Sequence, residues 1–246
     1  MKDDLLILCY HAVSECWPAP LSVTPERLAH QMGTLVARGY RGATFTEAVT
    51  RPSGGRVVAV TFDDAYRSVL TGAFPILSAL GLVATVFVPT DFIDDEGRKL
   101  SWPGIDEWSC GDYDHELTAM SWDELEGLTT EGWEMGSHTR SHPRLTTLGD
   151  ERLLSELEVS RRTLESRFGR GCSSLAYPYG DYDARVAAAA GQAGYVAAAT
   201  LPRRLHRPSP LAWPRVGIYH NDHAQRYRLK VFKPGRMLRG SPLWRR

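Results

Sequence analysis

Two groups of side chains in this sequence have the types and spacing to do chemistry. The first is the adjacent pair Asp63-Asp64, which ends the apolar run Arg56-Val-Val-Ala-Val-Thr-Phe62. Carboxylates forced together repel, so one of such a pair is usually protonated, bound to a cation or paired with a base. The second is His138-x-x-x-His142, directly after Trp133-Glu-Met-Gly-Ser137. Histidines four apart share a face when they lie on one helical turn. Two imidazoles and a carboxylate form a three-ligand set with one position left for water, the pattern of a catalytic rather than a structural zinc site. Thr139 rules out the H-E-x-x-H arrangement of metalloproteases. The competing readings are structural: an Asp capping a helix over residues 66–80, and histidines that sit on the surface or are satisfied within the core.

These residues need elements to hold them. Val57, Val58, Ala59, Val60 and Phe62 show no polar alternation, which predicts a strand covered on both faces in a parallel α/β sheet or barrel. Such folds place their chemistry at the C-terminal ends of strands, where Asp63 and Asp64 fall. Leu5 to Tyr10 reads as a first buried strand with His11 at its end, and Tyr40 to Phe45 as a short second one. Thr24-Pro25 opens a helix that stops at Gly39. A helix over 66–80, broken by Pro75, and the strand Val83 to Val88 complete a βαβ step. Ser121-Trp-Asp-Glu124 is a capping box, and Asp150 is expected to cap a longer helix stopped by Gly169. Strands at 173–177 and 195–199, an Ala-rich helix between them and a last strand within 211–220 continue the alternation. Residues 90–119 break it and read as an inserted loop, whose Trp102, Trp108 and Tyr113 are suited to stacking on sugar rings or to pinning the loop down.

A third stretch, Leu175-Ala-Tyr-Pro-Tyr-Gly-Asp181, closes a strand with Pro and Gly. With Thr61-Phe-Asp-Asp64, His138-x-x-x-His142 and Tyr177-Pro-Tyr-Gly180 in that order, and Met120-Ser-Trp-Asp-Glu-Leu before the histidines, the chain resembles the polysaccharide deacetylases of the NodB-homology type, carbohydrate esterase family four. The resemblance covers roughly residues 5 to 220 and implies an α/β fold, an irregular (β/α)7 barrel. It further implies Asp64, His138 and His142 as metal ligands, Asp63 as general base and the backbone N–H of Tyr179 as an oxyanion donor. The implied reaction is hydrolysis of an N-acetyl group from an amino-sugar-containing saccharide, with a divalent metal, Zn²⁺ foremost and Co²⁺ or Ni²⁺ as alternatives. Two departures stand out. Where many relatives carry an arginine in the third motif, this chain has Ala176, and Arg215 in Trp213-Pro-Arg-Val216 is the replacement to expect. The late motif that supplies the general acid is not clearly present, and His220 and His11 are equal candidates for it.

With 246 residues, 43% of them hydrophobic and 24% charged, the chain suits one barrel domain over residues 1–222. A formal net charge of zero offers no field for nucleic acid, and none is expected as a partner. Cys9, Cys16, Cys110 and Cys172 form no C-x-x-C pair and are expected to be free, partly buried thiols. The first residues do not read as a secretory signal, so the expectation is a cytoplasmic protein. Residues 223–246 form a basic amphipathic tail: Arg226, Arg228, Lys230, Lys233, Arg236, Arg239, Arg245 and Arg246 are interleaved with Leu229, Val231, Phe232, Met237, Leu238, Leu243 and Trp244. Such a segment either packs on the barrel or makes peripheral contact with an anionic membrane, at the inner face for a cytoplasmic protein. Two other functions compete: a catalytically silent sugar-binding module, and a metal-dependent phosphoesterase, against which two histidines argue because Mg²⁺ prefers oxygen ligands.

Overall fold

The computed structural model describes residues 4–51, 54–202, 205–232 and 235–236. Its strands in chain order are β1 (Asp4–Tyr10), β2 (Ala12–Val13), β3 (Ser22–Val23), β4 (Arg41–Gly42), β5 (Arg56–Asp63), β6 (Ala84–Val88), β7 (Glu134–Ser137), β8 (Ser174–Ala176), β9 (Ala197–Thr200), β10 (Trp213–Pro214) and β11 (Val216–Gly217). The main sheet runs β10-β9-β8-β7-β6-β5-β1-β11, with β4 also on β5, and every pairing is parallel. The two ends of that order, β10 and β11, are one stretch of chain interrupted only at Arg215. Its first half pairs with β9 and its second half with β1, so the sheet closes on itself. Counting the interrupted strand once gives the seven staves of a (β/α)7 barrel.

Period-two alternation sorts the strand residues into two cores. Leu6, Leu8 and Tyr10 of β1 and Val58, Val60 and Phe62 of β5 face the helices in the larger core. Ile7, Val57, Ala59, Phe87, Ala176, Ala197 and Ala199 fill the barrel with Phe45. The polar residues Cys9, Thr61 and Asp63 continue the inward set toward the C-terminal end of the barrel. Helices α1 (Pro25–Ala37), α2 (Phe45–Thr50), α3 (Phe74–Ala79), α4 (Trp122–Thr130), α5 (Asp150–Phe168), α6 (Ala184–Gln192) and α7 (Ala224–Val231) connect and cover the staves. α2 enters where a strand to Phe45 was expected, because Thr44 caps the helix and its first turn meets a half-buried acceptor. The Glu134 carboxylate of β7 takes bonds from Thr46 N (2.9 Å), Thr46 Oγ1, Thr85 Oγ1 (2.9 Å) and Ser174 Oγ (2.6 Å).

Other expectations shift by a few residues. The helix over 66–80 begins as a wide π-type turn, Val69–Ala73, before α3. Gly149, not Asp150, is the N-cap of α5, and Asp150 occupies its first turn, where a carboxylate still favours the helix dipole. Residues 90–119 hold three short 3-10 turns. In the tail, α7 buries Tyr227 and Val231 against the barrel. Arg226 and Lys230 pair with Asp222, and Arg236 pairs with Asp4, so three of the tail's cations are held by two carboxylates of the domain. Arg228 and Leu229 are exposed, and Lys233, Pro234 and residues 237–246, which carry much of the membrane expectation, lie outside the described residues.

Inside the barrel, a Cβ at Gly136 would lie 2.6 Å from the Phe87 ring and from Ser174 Oγ. Gly136→Ala is therefore expected to destabilise the protein by ~1–3 kcal/mol, the cost of overpacking a filled core. Urea unfolding measures it, and an unchanged midpoint would show that Phe87 can yield.

Candidate active site

The carboxyl ends of β5, β6 and β7 are drawn together by their register, in which Asp63 pairs with Phe87 and Val88 with Ser137. Beyond β5 the chain turns sharply, with Asp64 at φ 73° and Ala65 at φ 57°. Neither aspartate caps a helix, because this turn carries the chain away before the next helical segment begins at Val69. The turn aims the two carboxylates differently. Asp63 points into the barrel and Asp64 toward the histidines.

His138 and His142 do not lie on a helical turn, as their spacing suggests. They sit on a loop in which Thr139 and His142 are left-handed, with φ 67° and φ 57°. A β-branched residue in that region is strained, and the loop is held there by many bonds. Ser137 Oγ accepts from Thr139 N at 3.1 Å and Thr139 Oγ1 from His142 N at 3.1 Å. The Glu156 carboxylate of α5 accepts from Arg140 N (3.1 Å), Ser141 N (2.8 Å) and Ser141 Oγ (2.6 Å). The result brings His138 Nε2 within 3.4 Å and His142 Nε2 within 3.3 Å of one oxygen of Asp64.

These three buried side chains fit a divalent cation. Their ligating atoms lie within 4.8 Å of one another, and Asp64 Oδ1 has no hydrogen-bond partner. His138 Nδ1 lies 2.8 Å from the Ala176 carbonyl, which fixes the proton there and leaves the Nε2 lone pair turned toward Asp64. Trp102 stacks on the His142 ring with centroids 4.1 Å apart, while Tyr179 meets its edge at 4.8 Å.

Asp63 is gripped from the other side. Arg215, fully buried at the break between β10 and β11, donates from both terminal nitrogens to the two carboxylate oxygens at 2.6 and 2.8 Å, and also to Thr61 Oγ1 at 2.9 Å. Burial pushes the Asp63 pKa up, but the Arg215 charge and its hydrogen bonds, together with His138, outweigh this and bring it down to about 2. Burial would likewise raise Asp64, but the His138 and His142 imidazoles beside it outweigh this and hold it well below the carboxylate range. Both carboxylates are thus ionised at any working pH. Ala176 leaves the third-motif position without a guanidinium, and Arg215 brings one to Asp63 from the closing strand.

The two histidines weighed for acid catalysis are separated by the structure. His11, just beyond β1, lines the cavity with Nε2 4.0 Å from Asp63 Oδ2, and burial lowers its pKa. His220 is not among the cavity's lining residues. After Ile218 N bonds to Cys9 O, the chain leaves the barrel, and there the His220 N–H donates to the Pro20 carbonyl and the His220 carbonyl accepts from the Arg27 guanidinium. Its neighbour Tyr219 takes the place at the wall and stacks on His11 at 6.5 Å. Tyr179 adopts φ 60°, and among the described residues its N–H has no protein acceptor.

Above these groups opens a cavity of about 520 Å³, walled by Trp17, Trp102, Trp108, Arg144, Tyr179 and Tyr219. Trp102 and Trp108 come from the inserted loop, whereas Tyr113 is not in the wall. Arg144 and Tyr219 escaped sequence reasoning, since neither belongs to a motif, although each lies within two residues of one that was weighed, His142 and His220. Cys9, which donates to Asp63 Oδ2 at 3.4 Å, was legible in principle from its inward parity with Ile7.

The sequence model of the polysaccharide deacetylase family matches residues 50–198. Among curated relatives, YxkH of Bacillus subtilis strain 168, itself classed with the polysaccharide deacetylases, is 28% identical over 197 residues, 78% of this chain and 62% of that protein. The poly-beta-1,6-N-acetyl-D-glucosamine N-deacetylase of Staphylococcus aureus is 25% identical over 172 residues, 65% of this chain and 54% of that one. This chain thus spans less than two thirds of the length of either relative. The Streptococcus pyogenes deacetylase PplD, solved in complex with acetate, shares the fold with a TM-score of 0.76 at 20% identity, over 93% of this chain and 98% of that one.

Two measurements test the site. Replacing both His138 and His142 by alanine should lower the metal bound by one equivalent per chain, and unchanged stoichiometry would reject these ligands. Arg215→Met should destabilise the protein by ~3–5 kcal/mol, because it leaves a buried carboxylate without its partner, and adding Asp63→Asn should recover part of the loss. If denaturant unfolding shows the double variant to be no more stable than Arg215→Met, the two side chains are not coupled.

Proposed function

The chain belongs to the polysaccharide deacetylase family, and we propose that it hydrolyses N-acetyl groups from amino-sugar units of a saccharide, using a bound divalent metal, Zn²⁺ foremost. The observation that carries this reading is the pairing of an ionised carboxylate, Asp63, with a separate Asp64–His138–His142 set on the floor of one open cavity. The staphylococcal relative's action on N-acetylglucosamine polymers supports the substrate class. When bound, the metal would acidify water and polarise the acyl carbonyl.

The chain's own residues supply the rest. Asp63 accepts the proton of the attacking water, and the Arg215 fork holds both of its oxygens so that the carboxylate keeps one orientation. A carboxylate with a pKa of about 2 is a weak base, so it acts on a proton already made acidic. A new C–O bond forms at the acyl carbon, and the oxyanion lies within reach of the Tyr179 N–H. The C–N bond then breaks as the amine nitrogen takes up a proton. His11 is the cavity-lining imidazole available to deliver it, and burial, by lowering its pKa, makes its protonated form a strong donor. Acetate and a free amino sugar leave. The Trp102, Trp108 and Tyr219 faces offer stacking surfaces for sugar rings.

The catalytic reading separates from a silent sugar-binding module at Asp63. Asp63→Asn should lower acetate release from N-acetylated β-1,6-linked glucosamine oligosaccharides by at least about 10²–10⁴-fold, as removal of a general base does, with the metal and fold retained. Activity within a few-fold of the unaltered protein would place the base elsewhere. Release of inorganic phosphate from phosphoesters in place of acetate would favour the phosphoesterase.

A further inference from the structure

A further set of side chains with the chemistry to hold a metal lies outside the catalytic cavity. Cys16, His115 and Glu116 come from two loops nearly a hundred residues apart in sequence, and their ligating atoms lie within 4.8 Å of one another. Cys16 Sγ is 3.7 Å from Glu116 Oε1, and His115 Nε2 is 3.6 Å from the same oxygen. Around a tetrahedral zinc with bonds of about 2.0–2.3 Å, neighbouring ligand atoms stand about 3.3–3.5 Å apart, so both measured edges need only a few tenths of an ångström of adjustment. A thiolate, an imidazole and a carboxylate are the donors zinc selects.

The state of Glu116 points the same way. Its side chain is 9% exposed, and it accepts a hydrogen bond from Ser14 Oγ, so the carboxylate is fixed in place and largely withdrawn from water. Among the described residues it forms no ion pair with lysine or arginine, and His115 is its one titratable cationic neighbour. A nearly desolvated carboxylate calls for a cation. Cys16 and the His115 ring, by contrast, are exposed, so the open side of the set faces solvent, where an ion can enter.

We propose that Cys16, His115 and Glu116 bind a zinc ion that fastens the loop after β2 to the 3-10 turn Asp114–Leu117. Binding forms three metal–ligand bonds and releases the Cys16 thiol proton to solvent, with a water in the fourth position and no change of oxidation state. The location gives the ion a structural consequence for the catalytic cavity. Cys16 precedes Trp17, which meets Trp108 edge to face at 5.9 Å, and both rings line the cavity wall. Tying the two loops together clamps that wall at its outer end.

The catalytic ligand set contains no sulfur, so a thiolate signature reads the second site independently of the proposed reaction. The 246-residue chain, reduced and already holding one equivalent of metal, is titrated with Co²⁺, and the near-ultraviolet thiolate-to-cobalt charge-transfer band is followed. The expected result is a band that saturates with a second equivalent, disappears in Cys16→Ser, persists in Cys110→Ser, and needs at least about tenfold more Co²⁺ in His115→Ala, the least that loss of even an outer metal partner costs. Cys16 and His115 are exposed, and metal-free thermal melts of the variants should match that of the unaltered protein. No charge-transfer band in the unaltered protein, or one that survives Cys16→Ser, overturns the proposal.

Discussion

The bidentate pair between Arg215 and Asp63 is the interaction on which the rest of the structure depends. Two opposite charges removed from water lose more hydration than most geometries return, and this pair compensates through two short bonds and a third to Thr61 Oγ1. Arg215 lies where the last stave changes partners, from β9 to β1. Its backbone N–H bonds to Thr200 while its side chain crosses to β5. Barrel closure and the pairing of Asp63 with its guanidinium are therefore one event. A barrel that failed to close would leave a guanidinium and a carboxylate unpaired in its interior.

Around that pair the chain accepts local strain in order to aim side chains. Asp64, Ala65, Thr139, His142 and Tyr179 all take left-handed conformations, and each carries or adjoins a candidate ligand or donor. Each such residue costs on the order of 1–3 kcal/mol and persists only where its surroundings over-determine it. Glu156 does this for the histidine loop: one carboxylate on α5 holds two backbone N–H groups and a hydroxyl of that loop. Glu134 plays a comparable part deeper in the barrel, where it gathers α2, β6 and β8 onto β7. Glu134 takes bonds from three elements, and Asp63 from Arg215 and Cys9, which explains how a largely apolar interior of alanines tolerates these two carboxylates.

The inserted loop over residues 90–119 serves the site through packing. Trp102 stacks directly on His142, Trp108 packs against Trp17, and Leu100, Ile105 and Leu117 are buried beneath them. A wall of rigid rings over the anchored Asp64–His138–His142 set offers apolar faces at small entropic cost.

The sequence by itself determined the parallel α/β character and the placement of Asp63 and Asp64, because an unbroken apolar run ending in two acids has few ways to be buried. It also carried the pairing of these acids with His138 and His142, and the search for a substitute cation prompted by Ala176. Local information sufficed there: strand burial, turn residues and charge balance are read over a few positions. Three features were decided by tertiary structure alone. The histidines share a loop rather than a helical face, since bonds from Glu156 outweigh the propensity of the intervening residues. His11, not His220, enters the cavity, because that depends on where the last stave lets go of β1. The closing strand splits at Arg215 because one segment must satisfy two neighbours at once. In each case the deciding contact joins residues far apart in the chain, and no periodicity within one segment records which distant partner it will meet.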